Sequence, residues 1–237
     1  MLLLKLKKIL RMNKTKLFSV LFFILLILCN SCQNTLDSNS VKKNADKFYE
    51  QGNFDEAITS YSKSIKLDKR NSDAFFMRAL SKNKTGDIKG AIEDLNRAIK
   101  IKSDADYFYN LARMKEYQGD TLTAINIYSK AIKEDSTIYE AYNNRGLLYE
   151  SLGQNDKAIK DLNYAINLAP NFYIAYNNRA MFYQRNEEYQ KAIEDINRAL
   201  SLNNEISFLY YNRATSQVGL ENFDKAFEDL NRAINLD

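Results

Sequence analysis

The sequence predicts an all-α fold, a solenoid of six helix-turn-helix units, and three observations carry that prediction. Ala57, Ala91, Ala124, Ala158, Ala192 and Ala226 recur at steps of 34, 33, 34, 34 and 34 residues. Each heads the same apolar phrase, as in Ala91-Ile92-Glu93-Asp94-Leu95-Asn96-Arg97-Ala98-Ile99, and self-similarity at this period marks stacked helical hairpins. Second, every unit repeats two further small residues, one in helix A (Ala45, Ala79, Ala112, Gly146, Ala180, Ala214) and one in helix B (Ser64, Ala98, Ala131, Ala165, Ala199, Ala233). Small side chains let two antiparallel helices and the first helix of the next unit approach closely. Third, Gly52, Gly86, Gly119 and Gly153 stand where a left-handed residue ends helix A. Repeat 5 has Glu187 at that place, and repeat 6 is expected to turn at Gly219.

At the front of the chain, Leu17 to Leu28 is an apolar run preceded by Lys14 and Lys16 and by no acidic residue. It is short for a bilayer span and has the build of a secretory signal. Met12 makes a better start than Met1, because Met12 to Lys16 alone forms an ordinary basic n-region. The run ends at Cys29-Asn30-Ser31-Cys32, which resembles the bacterial lipoprotein signal. That resemblance implies cleavage after residue 31 and acylation of Cys32, palmitate included, since Ser31 supplies the small residue before the cysteine and Leu28 before Cys29 does not. The alternative is an uncleaved membrane anchor starting near Leu17. Residues 32–40 then form the lipidated cysteine and a polar tether; its eight residues from Gln33 span about 15 Å as a coil.

Six of the 34 Lys and Arg residues precede Cys32, leaving 28 against 30 Asp and Glu in the remainder. The apparent basicity belongs to the targeting segment, and nothing in the charge balance calls for nucleic acid. There is no histidine, which excludes His-based triads, and Cys29 and Cys32 have no second pair to complete a zinc site. No glycine-rich phosphate loop is present. The expectation is a protein that is not an enzyme and takes no cofactor or metal.

The solenoid is assigned to 41–237, with repeats near 38–71, 72–104, 105–138, 139–172, 173–206 and 207–237. Each helix A carries Val or an aromatic four places in, at Val41, Phe75, Phe108, Tyr142, Tyr176 and Tyr210. With the three small-residue positions, this frame resembles the tetratricopeptide repeat, and the resemblance implies a right-handed superhelix whose helices A line a concave groove. Pro170 alone sits at the proline that usually closes a unit.

Positions seven and twenty-three hold Arg and Asp together in repeats 2, 4, 5 and 6: Arg78 with Asp94, Arg145 with Asp161, Arg179 with Asp195, Arg213 with Asp229. In repeat 3 both turn apolar, as Leu111 and Ile127. This internal co-variation predicts structural salt bridges between helices A and B of one repeat. Position six holds Asn110, Asn144, Asn178 and Asn212, with Asn143 and Asn177 beside two of them. An amide both donates and accepts, so such a row can pair with the backbone of an extended peptide, and family resemblance implies that use; the plainer reading is that Asn is simply a common consensus residue there. Leu80, Leu147 and Met181 would add apolar contacts. Asp73, Asp106 and Glu140 stand where relatives that bind chaperone tails carry lysine, so a peptide with apolar and some basic side chains is expected.

These readings combine into a membrane-anchored adaptor or scaffold of the bacterial cell envelope. It would bind extended segments of envelope proteins in its groove, from an outer-membrane anchor facing the periplasm; Gln33 after the cysteine resembles outer-membrane sorting. The runner-up is a permanent structural subunit of an envelope assembly, pilus or secretion machine. Phe227, Leu230, Ala233 and Ile234 have no following helix in the sequence, and the apolar face of Phe227, Leu230 and Ile234 is expected to mediate self-association, as a homodimer, or docking. Replacing Cys32 with Ala should abolish metabolic lipid labelling and the size shift on maturation, while Cys29→Ala keeps both; the opposite pattern would reassign the acylated thiol.

Overall fold

The computed structural model of the chain describes residues 37–236. Cys32, the signal segment and the first half of the tether (33–36) lie outside the described residues, and Ser38 to Ser40, expected to be tether, form the start of the first helix with Asp37 as its cap. The described residues form twelve helices and no strand. They run as α1 (Ser38–Glu50), α2 (Phe54–Leu67), α3 (Ser72–Lys84), α4 (Ile88–Ile101), α5 (Ala105–Tyr117) and α6 (Thr121–Glu134). There follow α7 (Tyr139–Ser151), α8 (Asn155–Leu168), α9 (Tyr173–Arg185), α10 (Tyr189–Leu202), α11 (Ser207–Gly219) and α12 (Phe223–Ile234). None of these is long and apolar enough to cross a membrane. Two compact units divide the chain, one ending at Lys69 and the other beginning at Arg70.

The first unit is the hairpin of α1 and α2. Asp37 caps α1, its carboxylate accepting from the N–H groups of Asn39 and Ser40, and hydrogen bonds from Ser40 hold its pKa below the usual carboxylate range. Ala45, Ala57 and Ser64 are fully buried where the helices cross, and the Ser38 hydroxyl donates to the Ser64 carbonyl at 3.0 Å. The Tyr61 hydroxyl donates to Asp46 at 2.7 Å.

In the second unit ten helices stack as a helical-repeat solenoid. Each helix A packs on its own helix B, and from α5 onward on helix B of the repeat before it. Ala79, Ala91, Ala98, Ala112, Ala124 and Ala131 form the close-approach points of the first two hairpins, each fully buried. Leu95, Tyr128, Leu162 and Ile196, one on each of α4, α6, α8 and α10, fill the layers between hairpins and are also fully buried. Burying such a side chain stabilises by about 2 kcal/mol.

The arginine–aspartate pairs tie the hairpins of repeats 2, 4, 5 and 6. Arg145 reaches Asp161 through Nε at 2.7 Å and Nη2 at 2.9 Å; Arg78 with Asp94, Arg179 with Asp195 and Arg213 with Asp229 show the same fork. The third arm was not foreseen from the sequence. Nη1 of Arg145, Arg179 and Arg213 donates to Ser129, Asn163 and Asn197 on helix B of the preceding repeat, at 2.8, 2.6 and 2.7 Å. Burial works against the charge of Arg145 and Arg179, yet the bonds and charge of Asp161 and Asp195 outweigh it and hold both guanidiniums above their ordinary pKa. In repeat 3, Leu111 and Ile127 are both buried and pack in one apolar cluster.

The turns correct one expectation. Gly52, Gly86, Gly119 and Gly153 have φ between 70° and 87°, but in repeat 6 the left-handed residue is Glu221, at φ 60°, and not Gly219. Gly219 is instead the last residue of α11, where a Cβ would stand 2.6 Å from the ring of Tyr189. It is small for packing, and the turn two residues later falls to a glutamate, just as in repeat 5 at Glu187, also at φ 60°.

Two outcomes follow from this architecture. Glu187→Gly and Glu221→Gly, each relieving a left-handed L-residue, should stabilise by about 0.5–1 kcal/mol as read by the urea midpoint; a loss in both would refute the turn assignment. Arg145→Leu alone should cost about 3–5 kcal/mol by stranding a buried carboxylate. The pair Arg145→Leu with Asp161→Ile, which copies repeat 3, should recover most of that loss, and a double variant no better than the single one would show that the pair is not the unit of stability.

Candidate functional site

At about 100° per residue, position five of a helix A lies about 60° and position six about 160° around the helix from the packed small residue at position eight. Position five therefore sits beside the core and position six away from it, and the structure divides the asparagines into two groups. Asn143 and Asn177 are buried, at 3% and 6% exposure. Asn110, Asn144, Asn178 and Asn212 are half-buried.

Their amides are wired to one another across repeats. Asn178 on α9 donates to Asn143 Oδ1 on α7 at 2.9 Å, and Asn143 donates to Asn144 Oδ1 at 3.0 Å. Asn144 donates to the Tyr128 hydroxyl on α6 at 3.2 Å, and Tyr128 donates to Glu116 on α5 at 2.6 Å. The direction of this chain is set at its end. A carboxylate only accepts, so Tyr128 must donate to it, and burial followed by the bond to Glu116 pushes the Tyr128 pKa well up, keeping that proton in place. Each amide is then obliged to turn its nitrogen toward Glu116. A second wire runs from Asn212 on α11 to Asn177 Oδ1 at 2.8 Å, and from Asn177 to Met181 Sδ at 3.5 Å. Asn110 donates to its own helix, to the Asp106 carbonyl at 2.8 Å.

The six asparagines expected to contact a peptide are thus divided by their hydrogen bonds. Asn143 and Asn177 are interior links with both amide ends engaged, and Asn144 also accepts at Oδ1. The Oδ1 atoms of Asn110, Asn178 and Asn212 have no partner among the described residues. No buried side-chain polar atom among the described residues lacks a partner, so these three acceptors are open to solvent.

Leu147 and Met181 lie one turn beyond Asn143 and Asn177 on the same helix faces, half-buried, as is Leu80 on α3. Carboxylates flank the first part of this face. Burial raises the pKa of Asp106, and the like charges of Asp104, Asp135 and Glu140 raise it further. Asp73 accepts from the Tyr107 hydroxyl. In repeats 5 and 6 the position of Asp73, Asp106 and Glu140 is taken by Ile174 and Phe208, both exposed. The face thus passes from acidic in repeats 2–4 to apolar in repeats 5 and 6.

Sequence reasoning missed Glu116, Tyr128 and the bidentate pair of Arg185 with Glu150 between neighbouring helices A, at 2.7 and 2.6 Å. Tyr128 occurs once at its place in the second unit, where the other repeats carry Leu95, Leu162, Ile196 and Leu230, so periodicity could not reveal it; Glu116 recurs as Glu150, but only beside Tyr128 does it take up a phenol. The 35-residue step joining Glu150 to Arg185, and Asn143 to Asn178, was the signal available for the inter-repeat bonds. Among the described residues no three Cys, Asp or Glu side chains gather in a metal-sized group.

Family models agree with the helical hairpins one by one. Models described as tetratricopeptide repeat match residues 72–104, 105–137, 139–172, 173–205 and 209–237, and a model described as TPR repeat matches 45–86. The human tetratricopeptide repeat protein 6 is 30% identical over 99 residues, 42% of this chain and 19% of that protein, so the chain spans under a fifth of that relative. The crystal structure of MamA is similar at a TM-score of 0.62 and 27% identity, over 68% of this chain and 95% of the other. YrrB, described as a TPR protein with an unusual peptide-binding site, is alike in fold at a TM-score of 0.60 and 19% identity, over 72% and 89% of the two chains. With the repeat matched hairpin after hairpin along most of its length, the chain belongs to the tetratricopeptide-repeat family.

Proposed function

We propose that the protein is an adaptor that holds extended, basic and apolar segments of envelope proteins along its helix-A face, tethered to the outer membrane through an acylated Cys32 and facing the periplasm. The observation that carries this reading is a row of open amide oxygens: the two wires end at Asn178 and Asn212 with Oδ1 free, and Asn110, which donates to its own helix, keeps its Oδ1 free as well. Such a row accepts first, and an extended backbone offers N–H groups at regular spacing along one edge. Acidic flanks in repeats 2–4 suit lysine or arginine side chains of the bound segment, and Leu80, Leu147, Met181, Ile174 and Phe208 suit apolar ones. YrrB offers support only through its shared fold and its description as having a peptide-binding site. Phe227, Leu230 and Ile234 are exposed along α12, and the homodimer or docking contact is assigned to that face.

Panning a display library of linear dodecapeptides against the full-length protein in detergent should enrich sequences that combine Lys or Arg with apolar residues. Asn178→Ala with Asn212→Ala removes two open acceptors at about 1 kcal/mol each and should weaken the selected peptides roughly thirtyfold. Enrichment of acidic peptides, or affinity unchanged in the double variant, would move binding away from this face.

A further inference from the structure

Repeat 4 departs from its neighbours on the opposite side of helix B. Four residues apart on that helix, repeats 2, 5 and 6 carry a glutamate and an arginine: Glu93 and Arg97, Glu194 and Arg198, Glu228 and Arg232. The arginines of repeats 5 and 6 lie over an aromatic ring of helix A, Arg198 at 6.0 Å from Tyr176 and Arg232 at 5.9 Å from Tyr210. In repeat 4 the two places hold Lys160 and Tyr164. The acid is replaced by a base, and the cation over the ring is replaced by a second ring: Tyr164 packs on Tyr142 at 5.5 Å between centroids, tilted by 32°.

A depression of about 370 Å³ opens at this place, walled by Tyr142, Tyr149, Tyr164 and Ile132 and edged by Lys157 and Lys160. A second, of about 400 Å³, continues along α8 and shares Lys160 and Tyr164 with the first. Either is large enough for a single ring with a substituent. Asp161 is the one carboxylate of the lining, and it is forked onto Arg145, so these two charges cancel. Lys157 lies 5.2 Å from the Tyr149 ring and its hydrogen bond goes to the neutral Gln154 at 2.8 Å. Lys160 makes no hydrogen bond or ion pair among the described residues, and neither do the hydroxyls of Tyr142, Tyr149 and Tyr164. Burial holds the Tyr142 hydroxyl protonated by raising its pKa. The lining therefore presents two uncompensated ammonium groups and phenolic donors around aromatic faces. Ammonium and phenol donors match an anionic oxygen, and the ring faces match another ring in offset contact.

We propose that this depression on repeat 4 is a second binding site, for an aromatic ring that carries a phosphate or carboxylate group. It is independent of the helix-A face: its residues lie on helix B and the outward side of α7, and none belongs to the amide wire.

The test is calorimetry on the full-length protein in detergent, with phenyl phosphate as the probe and cyclohexyl phosphate and inorganic phosphate as comparators. Phenyl phosphate should bind one to one and at least tenfold more tightly than either comparator, since both ring and charge are read. Lys160→Glu with Tyr164→Arg grafts the pair of repeat 5 onto repeat 4 and should abolish the binding while leaving helical content and peptide capture unchanged. Lys160→Gln, a milder change, should weaken phenyl phosphate by at least threefold. Equal affinity for phenyl and inorganic phosphate would reduce the site to surface charge and overturn the proposal, as would full affinity in either variant.

Discussion

Three helices meet at each clamp arginine of repeats 4, 5 and 6. The guanidinium sits on helix A, its fork closes on the aspartate of its own helix B, and its remaining arm reaches the previous helix B at Ser129, Asn163 or Asn197. An aromatic ring of helix A lies beside it, at 5.6 Å for Tyr142 and 5.9 Å for Tyr176. Lysine could not take this place, because one ammonium cannot hold a planar fork and a third partner in fixed directions. The geometry sets how one hairpin stacks on the last. Everything on the exposed faces, the amides on one side and the tyrosine depression on the other, takes its spacing from that stacking. Repeat 3 does without the clamp of its own, joining α5 to α6 through Leu111 and Ile127, and its helix B is instead gripped from the next repeat when Arg145 bonds Ser129.

The fold was legible because the solenoid writes the same physical requirement six times. A small residue at a crossing point is needed wherever two helices approach, so Ala79, Ala112 and Ala180 could be recognised by register alone. The clamp was legible in part, since Arg and Asp vanish together in repeat 3. Its third arm was not: Ser129, Asn163 and Asn197 are polar surface types whose role depends on the next hairpin's position. The turn at Glu221 was missed for a related reason. A glycine two residues earlier looked like the turn residue, whereas Gly219 is held small by the Tyr189 ring, a contact between α11 and α10 that sequence spacing does not display.

The amide ladder shows a different limit. Composition and register place asparagines on one face, but whether an amide donates or accepts depends on what its neighbours leave available. Here the answer comes from one hydroxyl unrepeated in the second unit, Tyr128, set beside a carboxylate that recurs at Glu150. Glu116 accepts from Tyr128, and the orientation is passed link by link through Asn144 and Asn143 to Asn178, two repeats away. Chains of this kind strengthen as each donor polarises the next. Asn144 and Asn143 are consumed as links, and the capacity to accept appears at the far end.

Repetition and exception thus do different work in this chain. What recurs, the small residues in every repeat and the clamp in repeats 2, 4, 5 and 6, is used up in stacking and points inward. The chemistry of the outward faces is set where a repeat breaks its own rule: the buried Tyr128 that orients the amides in repeat 3, Lys160 and Tyr164 in repeat 4, Ile174 and Phe208 in place of acids in repeats 5 and 6. A helix turns about 100° per residue, so positions five and six and positions twenty-two and twenty-six diverge to separate faces without disturbing positions seven and twenty-three between them. The stacking can therefore remain constant while each outward face is varied one repeat at a time, and the departures are where recognition is to be sought.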